Sequence, residues 1–135
     1  MLEPSLHTKT HRVLIIDDEK VISFTLATVF NTHGYDARGV LSAELAMDMI
    51  ESWPPHLAII DVCLPGMNGV DFAIHMSTFH SACHLLMLSG QPDSADLLDA
   101  AAKMGFPLEI LAKPIHPKTL LARAAELLTN NGLQA

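Results

Sequence analysis

Three aspartates come directly after short apolar runs of this sequence, at points where buried strands would end. Asp17 and Asp18 follow the run at 13–16, and Asp61 follows the run at 57–60. Carboxylates that lie close together repel one another, and burial strengthens the repulsion. A divalent cation relieves it, and oxygen ligands without histidine or cysteine favour Mg²⁺, or Mn²⁺, over zinc. The aspartates therefore predict a site for a hard divalent cation.

A serine and a lysine follow two further apolar runs and add groups that recognise a phosphoryl ligand. Ser89 comes after the run at 85–88, and Lys113 comes after the run at 108–112. A hydroxyl donor and a mobile positive charge beside a cation suit a phosphoryl group better than other ligands. One carboxylate would accept the group, and Asp61 is the candidate because it lies at the centre of the set.

Strand-like and helix-like segments alternate along the chain and would position these residues. Short runs rich in apolar residues predict five strands, near 13–16, 35–40, 57–60, 85–88 and 108–112. Helical spacing of apolar residues predicts five helices, at 19–32, 42–53, 69–78, 93–104 and 117–129. In the fourth helix, Leu97, Ala101 and Met104 are predicted to face inward.

This alternation predicts an α/β fold, a doubly wound (βα)5 parallel sheet with helices on both faces. The second strand contains Asp36 and Arg38, and the fifth contains Glu109, so these two strands suit the edges of the sheet. The flavodoxin-like order 2-1-3-4-5 places both there. In such sheets ligands bind beyond the carboxyl ends of the strands, so the polar residues after strands 1, 3, 4 and 5 should meet at one edge.

Length and composition narrow the classes of protein. The 135 residues suit one domain, predicted at 11–130, with flexible tails at 1–10 and 131–135 and no further module. The net charge of −7 and the lack of a Lys/Arg cluster argue against direct DNA binding. No apolar run approaches the roughly 18 residues of a membrane span, and no secretory signal is present. We therefore expect a cytoplasmic protein without membrane contact.

The four polar motifs together resemble the receiver domain of two-component response regulators. The resemblance covers about residues 11–130. It rests on Asp17-Asp18, on Asp61 followed by Pro65-Gly66 and Gly69, on Ser89-Gly90, and on Lys113-Pro114. Each motif alone is weak, but four of them at the ends of strands 1, 3, 4 and 5 are specific.

The resemblance implies a phosphoacceptor signalling protein of a two-component or phosphorelay system. Asp61 would take a phosphoryl group from a phosphohistidine of a sensor histidine kinase or phosphotransfer protein, in a Mg²⁺-dependent reaction. Asp18 would bind Mg²⁺ directly and Asp17 partly through water. Asp61 and the backbone carbonyl of Cys63 would complete the protein ligands. The protein would be no enzyme beyond catalysing its own phosphorylation and dephosphorylation.

A conformational switch around Ser89 is also implied by the resemblance. Lys113 would pair with the phosphoryl oxygens, ahead of a cis peptide to Pro114, and the Ser89 hydroxyl would turn inward to bond the same group. Many receivers carry Tyr or Phe three residues before the lysine, where this sequence has Ile110. We therefore expect a switch carried by the loop after Ser89, with little rearrangement at Ile110.

The resemblance implies output to an unidentified downstream protein, with the fourth helix, fifth strand and fifth helix as the surface for a partner or a homodimer.

Three alternative classes of protein suit these residues less well. A pseudo-receiver that only docks would not need the intact acidic, serine and lysine set. An aspartyl-phosphate hydrolase normally carries a second acid two residues after a nucleophile on strand 1, a spacing that Asp17-Asp18-Glu19 lacks. A flavin-binding protein of like topology would have its phosphate repelled by the same acidic loop.

Overall fold

The structure is a computed structural model, and it describes residues 10–90 and 94–133. Most of the two predicted tails, residues 1–9 and 134–135, lies outside the described residues. Five strands are present: β1 Arg12–Ile16, β2 Asp36–Val40, β3 Leu57–Asp61, β4 His84–Ser89 and β5 Ile110–Ala112. They alternate with five helices: α1 Lys20–Thr32, α2 Ala43–Met49, α3 Gly69–Phe79, α4 Ser94–Lys103 and α5 Pro117–Leu133.

The strands form one parallel sheet in the order β2-β1-β3-β4-β5, which confirms the predicted fold class and strand order. The register aligns the carboxyl ends of the inner strands. Ile16 pairs with Ile60, and Asp61 pairs with Leu88. Ser89 pairs with Ala112 at the end of β5. Residues that follow these strands therefore leave the sheet at one common edge.

Helices cover both faces of the sheet, as the apolar strands require. Residues 13–16 of β1 and 57–60 of β3 have no exposed surface, because successive side chains point into cores on opposite faces. On one face, α1 and α5 contribute Leu26, Ala27, Phe30, Leu120, Ala124 and Leu128. On the other face, α2, α3 and α4 contribute Ala43, Ala46, Val70, Phe72, Ala73, Met76, Leu98 and Ala101.

Side-chain caps begin two of the helices on that second face. The Ser42 Oγ accepts a hydrogen bond from the Leu45 amide at 3.1 Å, as the sequence predicts for α2. The Asn68 Oδ1 accepts one from the Asp71 amide at 2.9 Å at the start of α3.

Among the described residues, none of the helices combines the length and the hydropathy that a membrane span requires.

The orientation of α4 corrects one prediction. Leu97 and Met104 were expected to face inward, but they are 39% and 66% exposed, whereas Leu98 and Ala101 are buried. Leu97 and Leu98 are neighbours, so a helix rotated by one position satisfies nearly the same apolar pattern. The structure also shortens β5 to three residues and extends α5 four residues beyond its predicted end at 129.

Candidate functional site

An acidic cluster lies at the carboxyl edge of the sheet. Asp17 and Asp18 follow β1, and Asp61 is the last residue of β3. Each offers a carboxylate oxygen, and these oxygens lie within 4.8 Å of one another. Asp17 is completely buried and Asp61 is 6% exposed, while Asp18 faces solvent. The structure thus brings together the three aspartates that the sequence assigns to one site.

Lys113 connects the two buried acids. Its Nζ lies 2.8 Å from the Asp17 Oδ2 and 3.2 Å from the Asp61 Oδ2. Its backbone amide donates to the Ser89 carbonyl at 2.9 Å, which attaches the lysine loop to the end of β4. The side chain is 17% exposed, so the lysine expected as a mobile charge is instead held between two carboxylates. The predicted cis peptide to Pro114 is present.

Burial and charge act in opposite directions on this cluster. Burial raises the pKa of Asp61, and the charge of Asp17 raises it too, whereas the nearby Lys113 ammonium lowers it; the balance is a raised pKa. Burial lowers the pKa of Lys113, but its hydrogen bond to Asp17 and the charge of Asp61 raise it above its usual range. The lysine therefore stays charged near neutral pH.

Backbone groups hold the two buried acids in place. The Cys63 amide donates to the Asp61 Oδ1 at 3.2 Å, and the Glu19 amide donates to the Asp17 Oδ1 at 3.0 Å. Gly69 lies directly against the backbone carbonyl of Asp61, where an added Cβ would overlap the carbonyl oxygen. These contacts orient the Asp61 carboxylate toward Lys113 without using its second oxygen for the loop.

A polar cavity of about 380 Å³ opens beside the cluster. Its walls are formed by Asp18, Glu19, Asp61, Cys63, Gly90 and Lys113. Ser89 lies outside this wall, and so does Ile110, which is 42% exposed on β5. The cavity is large enough for a phosphoryl group and its bound waters.

The donor chemistry of the cavity suits a hard cation. The aspartates supply carboxylate oxygens, and the exposed Asp18 carboxylate is open to solvent at the mouth. Within residues 10–90 and 94–133, no other group of three acidic, histidine or cysteine side chains converges in this way. An all-oxygen set is the kind of site that Mg²⁺ takes, so the residues present fit such an ion.

Glu19 is a wall residue to which the sequence analysis gave no role. Its Oε1 lies 4.0 Å from the Lys113 Nζ, and it also borders a second, more apolar groove of about 520 Å³. Val21, Ile22, Pro114 and Ile115 line that groove, which shares Gly90 and Lys113 with the polar cavity. The position of Glu19 directly after Asp17-Asp18 could have indicated that it lies at the site. An acid at this position is also explained by the start of α1.

Comparisons with known proteins identify close similarities. A sequence model described as "Response regulator receiver domain" matches residues 13–125. A solved structure of a candidate response regulator from Chloroflexus aurantiacus is 31% identical, with a TM-score of 0.75, and the match covers 90% of this chain and 99% of that one. A CheY-like receiver domain protein from Methanospirillum hungatei has a TM-score of 0.82 over 94% of this chain and 100% of that one; at 22% identity it shows the fold alone.

Longer regulators are also similar to the chain. The DNA-binding response regulator MtrA of Mycobacterium tuberculosis is 28% identical over 129 residues, which cover 93% of this chain and 54% of MtrA. The aerobic respiration control protein ArcA of Escherichia coli is 28% identical over 121 residues, covering 90% of this chain and 50% of ArcA. The chain thus spans about half the length of these curated relatives.

Proposed function

The chain belongs to the response regulator receiver domain family, and we propose that it is a phosphoacceptor of a two-component or phosphorelay system in which Asp61 takes the phosphoryl group. One observation carries the proposal. The Lys113 ammonium contacts both Asp17 and Asp61, at 2.8 and 3.2 Å, at the wall of a polar cavity that is large enough for a phosphoryl group. A fixed cation beside a buried carboxylate is suited to the charge of an arriving phosphoryl group.

Among the three acids, the surroundings of Asp61 favour it as the nucleophile. Asp17 is fully buried, does not line the cavity, and accepts hydrogen bonds from Lys113 and Glu19. Asp18 is exposed to water, which would compete for a phosphoryl group bound there. Asp61 lines the cavity and is largely shielded from solvent. A phosphoryl donor can therefore reach Asp61 from the cavity, while the surrounding protein shields the carboxylate from water.

The transfer itself is an in-line displacement at phosphorus. A carboxylate oxygen of Asp61 forms a bond to phosphorus as the P–N bond of the donor phosphohistidine breaks. The bonding electrons stay on the leaving imidazole nitrogen, and the product is an acyl phosphate. Lys113 can move its hydrogen bond from the Asp61 Oδ2 to a phosphoryl oxygen while it keeps its contact with Asp17. Catalysis of this kind depends on positioning and charge neutralisation.

Mg²⁺ would be held by Asp18 and Asp61, with Asp17 partly through water and the backbone carbonyl of Cys63 as a further ligand. When bound, the ion neutralises charge on the phosphoryl oxygens. Lys113 already balances part of the charge of Asp17 and Asp61. We therefore expect weak binding of Mg²⁺ without phosphate.

Ser89 carries the conformational response in this proposal. Its side chain lies outside the cavity wall, while its carbonyl holds the Lys113 amide. Movement of the hydroxyl toward a phosphoryl group on Asp61 would pull the loop after β4 toward the cavity. Ile110, exposed on an edge strand of three residues, would contribute little.

The second groove supports docking of the phosphohistidine donor at this edge. A donor must bring its phosphoryl group over Asp61, so its surface must cover the mouth of the polar cavity. The apolar groove shares Glu19, Gly90 and Lys113 with that cavity. Val21 on its rim is 78% exposed. Val21 lines the groove together with Ile22, Pro114 and Ile115, and a contiguous apolar surface beside the cavity suits burial under a partner.

A separate surface is available for output. Leu97 of α4, Met104 directly after α4 and Ile110 of β5 are exposed apolar side chains on the face predicted for a partner or a second copy. A downstream protein or a homodimer would cover them. MtrA is named as a DNA-binding response regulator, whereas the net charge of −7 and the lack of a Lys/Arg cluster argue against direct DNA binding by this chain.

Transfer from a phosphohistidine donor tests the proposal. Sensor kinases labelled on histidine would be mixed with the chain in Mg²⁺, and the label followed from kinase to chain. Val21→Asp should slow transfer from the kinase but not labelling by acetyl phosphate, since only the kinase would cover the groove. Thr28→Asp, at an exposed position of the same helix, is the matched control. Failure of every kinase to label the wild-type chain would contradict the proposal.

A further inference from the structure

The loop at 62–68, between β3 and α3, presents a group on which the proposed function depends, the Cys63 carbonyl. The start of the loop is bonded to β4, and the first residue of α3 is bonded back to the start of the loop. The Val62 amide donates to the Leu88 carbonyl at 2.9 Å, and the Gly69 amide donates to the Val62 carbonyl at 3.0 Å. The placement of the Cys63 carbonyl therefore also depends on what holds the middle of the loop.

Glu44 reaches the middle of this loop from the first turn of α2. The Met67 amide donates a hydrogen bond to the Glu44 Oε2 at 2.8 Å, across 23 residues of sequence. The same carboxylate occupies the space beside Gly66, because a Cβ added at Gly66 would overlap the Glu44 Oε2. Gly66 has a φ of +75°, which glycine adopts without strain. The Glu44 carboxylate thus packs on two successive backbone units of the loop.

The contact is made by an ionised side chain. The hydrogen bond from the Met67 amide lowers the pKa of Glu44 below its ordinary value of 4.5, so Glu44 is charged near neutral pH. A charged acceptor makes a stronger hydrogen bond than a neutral one. The position in the first turn of α2 also favours a negative charge. Both effects keep the acceptor available to the loop.

We infer that Glu44 is a positioning residue for the phosphoryl site, whose carboxylate holds the Gly66–Met67 peptide and thereby places the Cys63 carbonyl for Mg²⁺. The inference rests on the proposed function, which gives that carbonyl its role. Glu44 is not one of the residues that line the polar cavity, so it acts through the loop. Its loss should weaken Mg²⁺ binding, while saturating Mg²⁺ should still allow Asp61 to react.

Three variants separate this role from a general effect of charge. Glu44→Ala removes the acceptor, and Glu44→Gln keeps an oxygen acceptor without the charge. Asp48→Ala removes an exposed acid from the same helix and serves as the control. For each protein, the rate of labelling by acetyl phosphate is measured over a range of Mg²⁺ concentrations.

Glu44→Ala should raise the Mg²⁺ concentration for half-maximal rate by roughly tenfold, the lower end for residues that orient metal ligands. The rate at saturating Mg²⁺ should change little. Glu44→Gln should fall between Glu44→Ala and wild type, and Asp48→Ala should match wild type. Equal Mg²⁺ dependence of Glu44→Ala and Asp48→Ala would overturn the inference.

The Met67 amide gives a readout that needs no phosphorylation. Its proton chemical shift should follow the titration of Glu44, with a midpoint below 4.5, and this titration should be absent in Glu44→Ala. A Met67 amide proton whose chemical shift in wild type does not change as Glu44 titrates would also overturn the inference. If wild-type protein accepts no phosphoryl group at any Mg²⁺ concentration, the proposed function fails and the inference fails with it. A titrating Met67 amide would then show that the Glu44 contact exists without that role.

Discussion

Gly69 packs against the backbone carbonyl of Asp61 so closely that an added Cβ would overlap the carbonyl oxygen. The first turn of α3 therefore rests on the last residue of β3. Gly69→Ala should force the two elements apart and lower the free energy of unfolding by about 1–3 kcal/mol, the usual cost of overpacking. Urea unfolding measures this change. Gly90→Ala is the control, because a Cβ there would make an ordinary contact of 3.4 Å with the Lys113 Cβ; equal losses in both variants would contradict the close-packing argument.

The raised pKa of Asp61 makes stability depend on pH. Between the ordinary pKa of 3.8 and the raised value, the folded protein binds more protons at Asp61 than the unfolded protein does. Asp61 therefore makes the free energy of unfolding fall as pH rises through that window. Asp61→Asn should remove this fall and be the more stable protein at neutral pH.

Urea unfolding of wild type and Asp61→Asn at a series of pH values measures this effect as a difference. The contributions of other titrating groups to the pH dependence cancel when the two proteins are compared. One such group is His84, whose pKa is lowered by burial and by the nearby Arg123 and His11 charges. A difference in stability that shrinks as pH rises through the window would show that Asp61 is stabilised by ionisation instead.

Mg²⁺ should raise the melting temperature of the wild-type protein, because it binds the folded aspartates and relieves their repulsion. Asp18→Ala should cut both this rise and the labelling of Asp61. Without metal, the variant should melt slightly higher than wild type, since one repelling charge is gone; the effect should be small because Asp18 is exposed. Asp99→Ala, an exposed acid of α4, is the control. A metal-free melting temperature that falls would assign Asp18 a structural role.

Much of this architecture was predictable from the sequence, for a physical reason. Strands at 13–16 and 57–60 are apolar throughout because they are buried on both faces. Polar residues mark the edges of the sheet, with Asp36 and Arg38 in β2 and Glu109 directly before β5. Strand order then determines which loops meet, so the convergence of Asp17, Asp18 and Asp61 follows from local patterns. Such features depend on residues close in sequence or on the rules of parallel sheets.

Features that depend on side-chain placement were not predictable. The neighbours Leu97 and Leu98 are both apolar, so the pattern could not choose which one faces the core. The contact of Glu44 with the distant Met67 was hidden, because an acid in the first turn of a helix already has a local explanation. That Lys113 lies between two acids, rather than free in the cavity, requires distances that the sequence does not contain.

Ser89 and Ile110 should differ in their effect on the switch. Ser89→Ala should leave labelling of Asp61 largely intact but abolish most of the conformational response, because it removes a charge-assisted hydrogen bond of roughly 1.5–3 kcal/mol. Ile110→Ala should leave the response in place. It should also cost less than the roughly 2–5 kcal/mol of a buried site, since Ile110 is 42% exposed. Because Ile110 is partly exposed, Ile110→Ala should lower the free energy of unfolding by less than it would at a buried position.

Methyl-resolved NMR spectra with and without beryllofluoride, a mimic of the phosphoryl group, make this comparison. We expect large shifts near the Ser89 loop and small ones at Ile110. A rotamer change at Ile110 as large as the change at the Ser89 loop would restore a two-part switch and contradict this prediction.

The central claim is that Asp61 is the phosphoacceptor, and intact-mass analysis after treatment with acetyl phosphate and Mg²⁺ tests it most directly. The wild-type chain should gain the mass of one phosphoryl group, peptide mapping should place that group on Asp61, and removal of Mg²⁺ should prevent the gain. Asp61→Asn should gain nothing under the same conditions, while remaining folded. Equal labelling of wild type and Asp61→Asn would contradict the account.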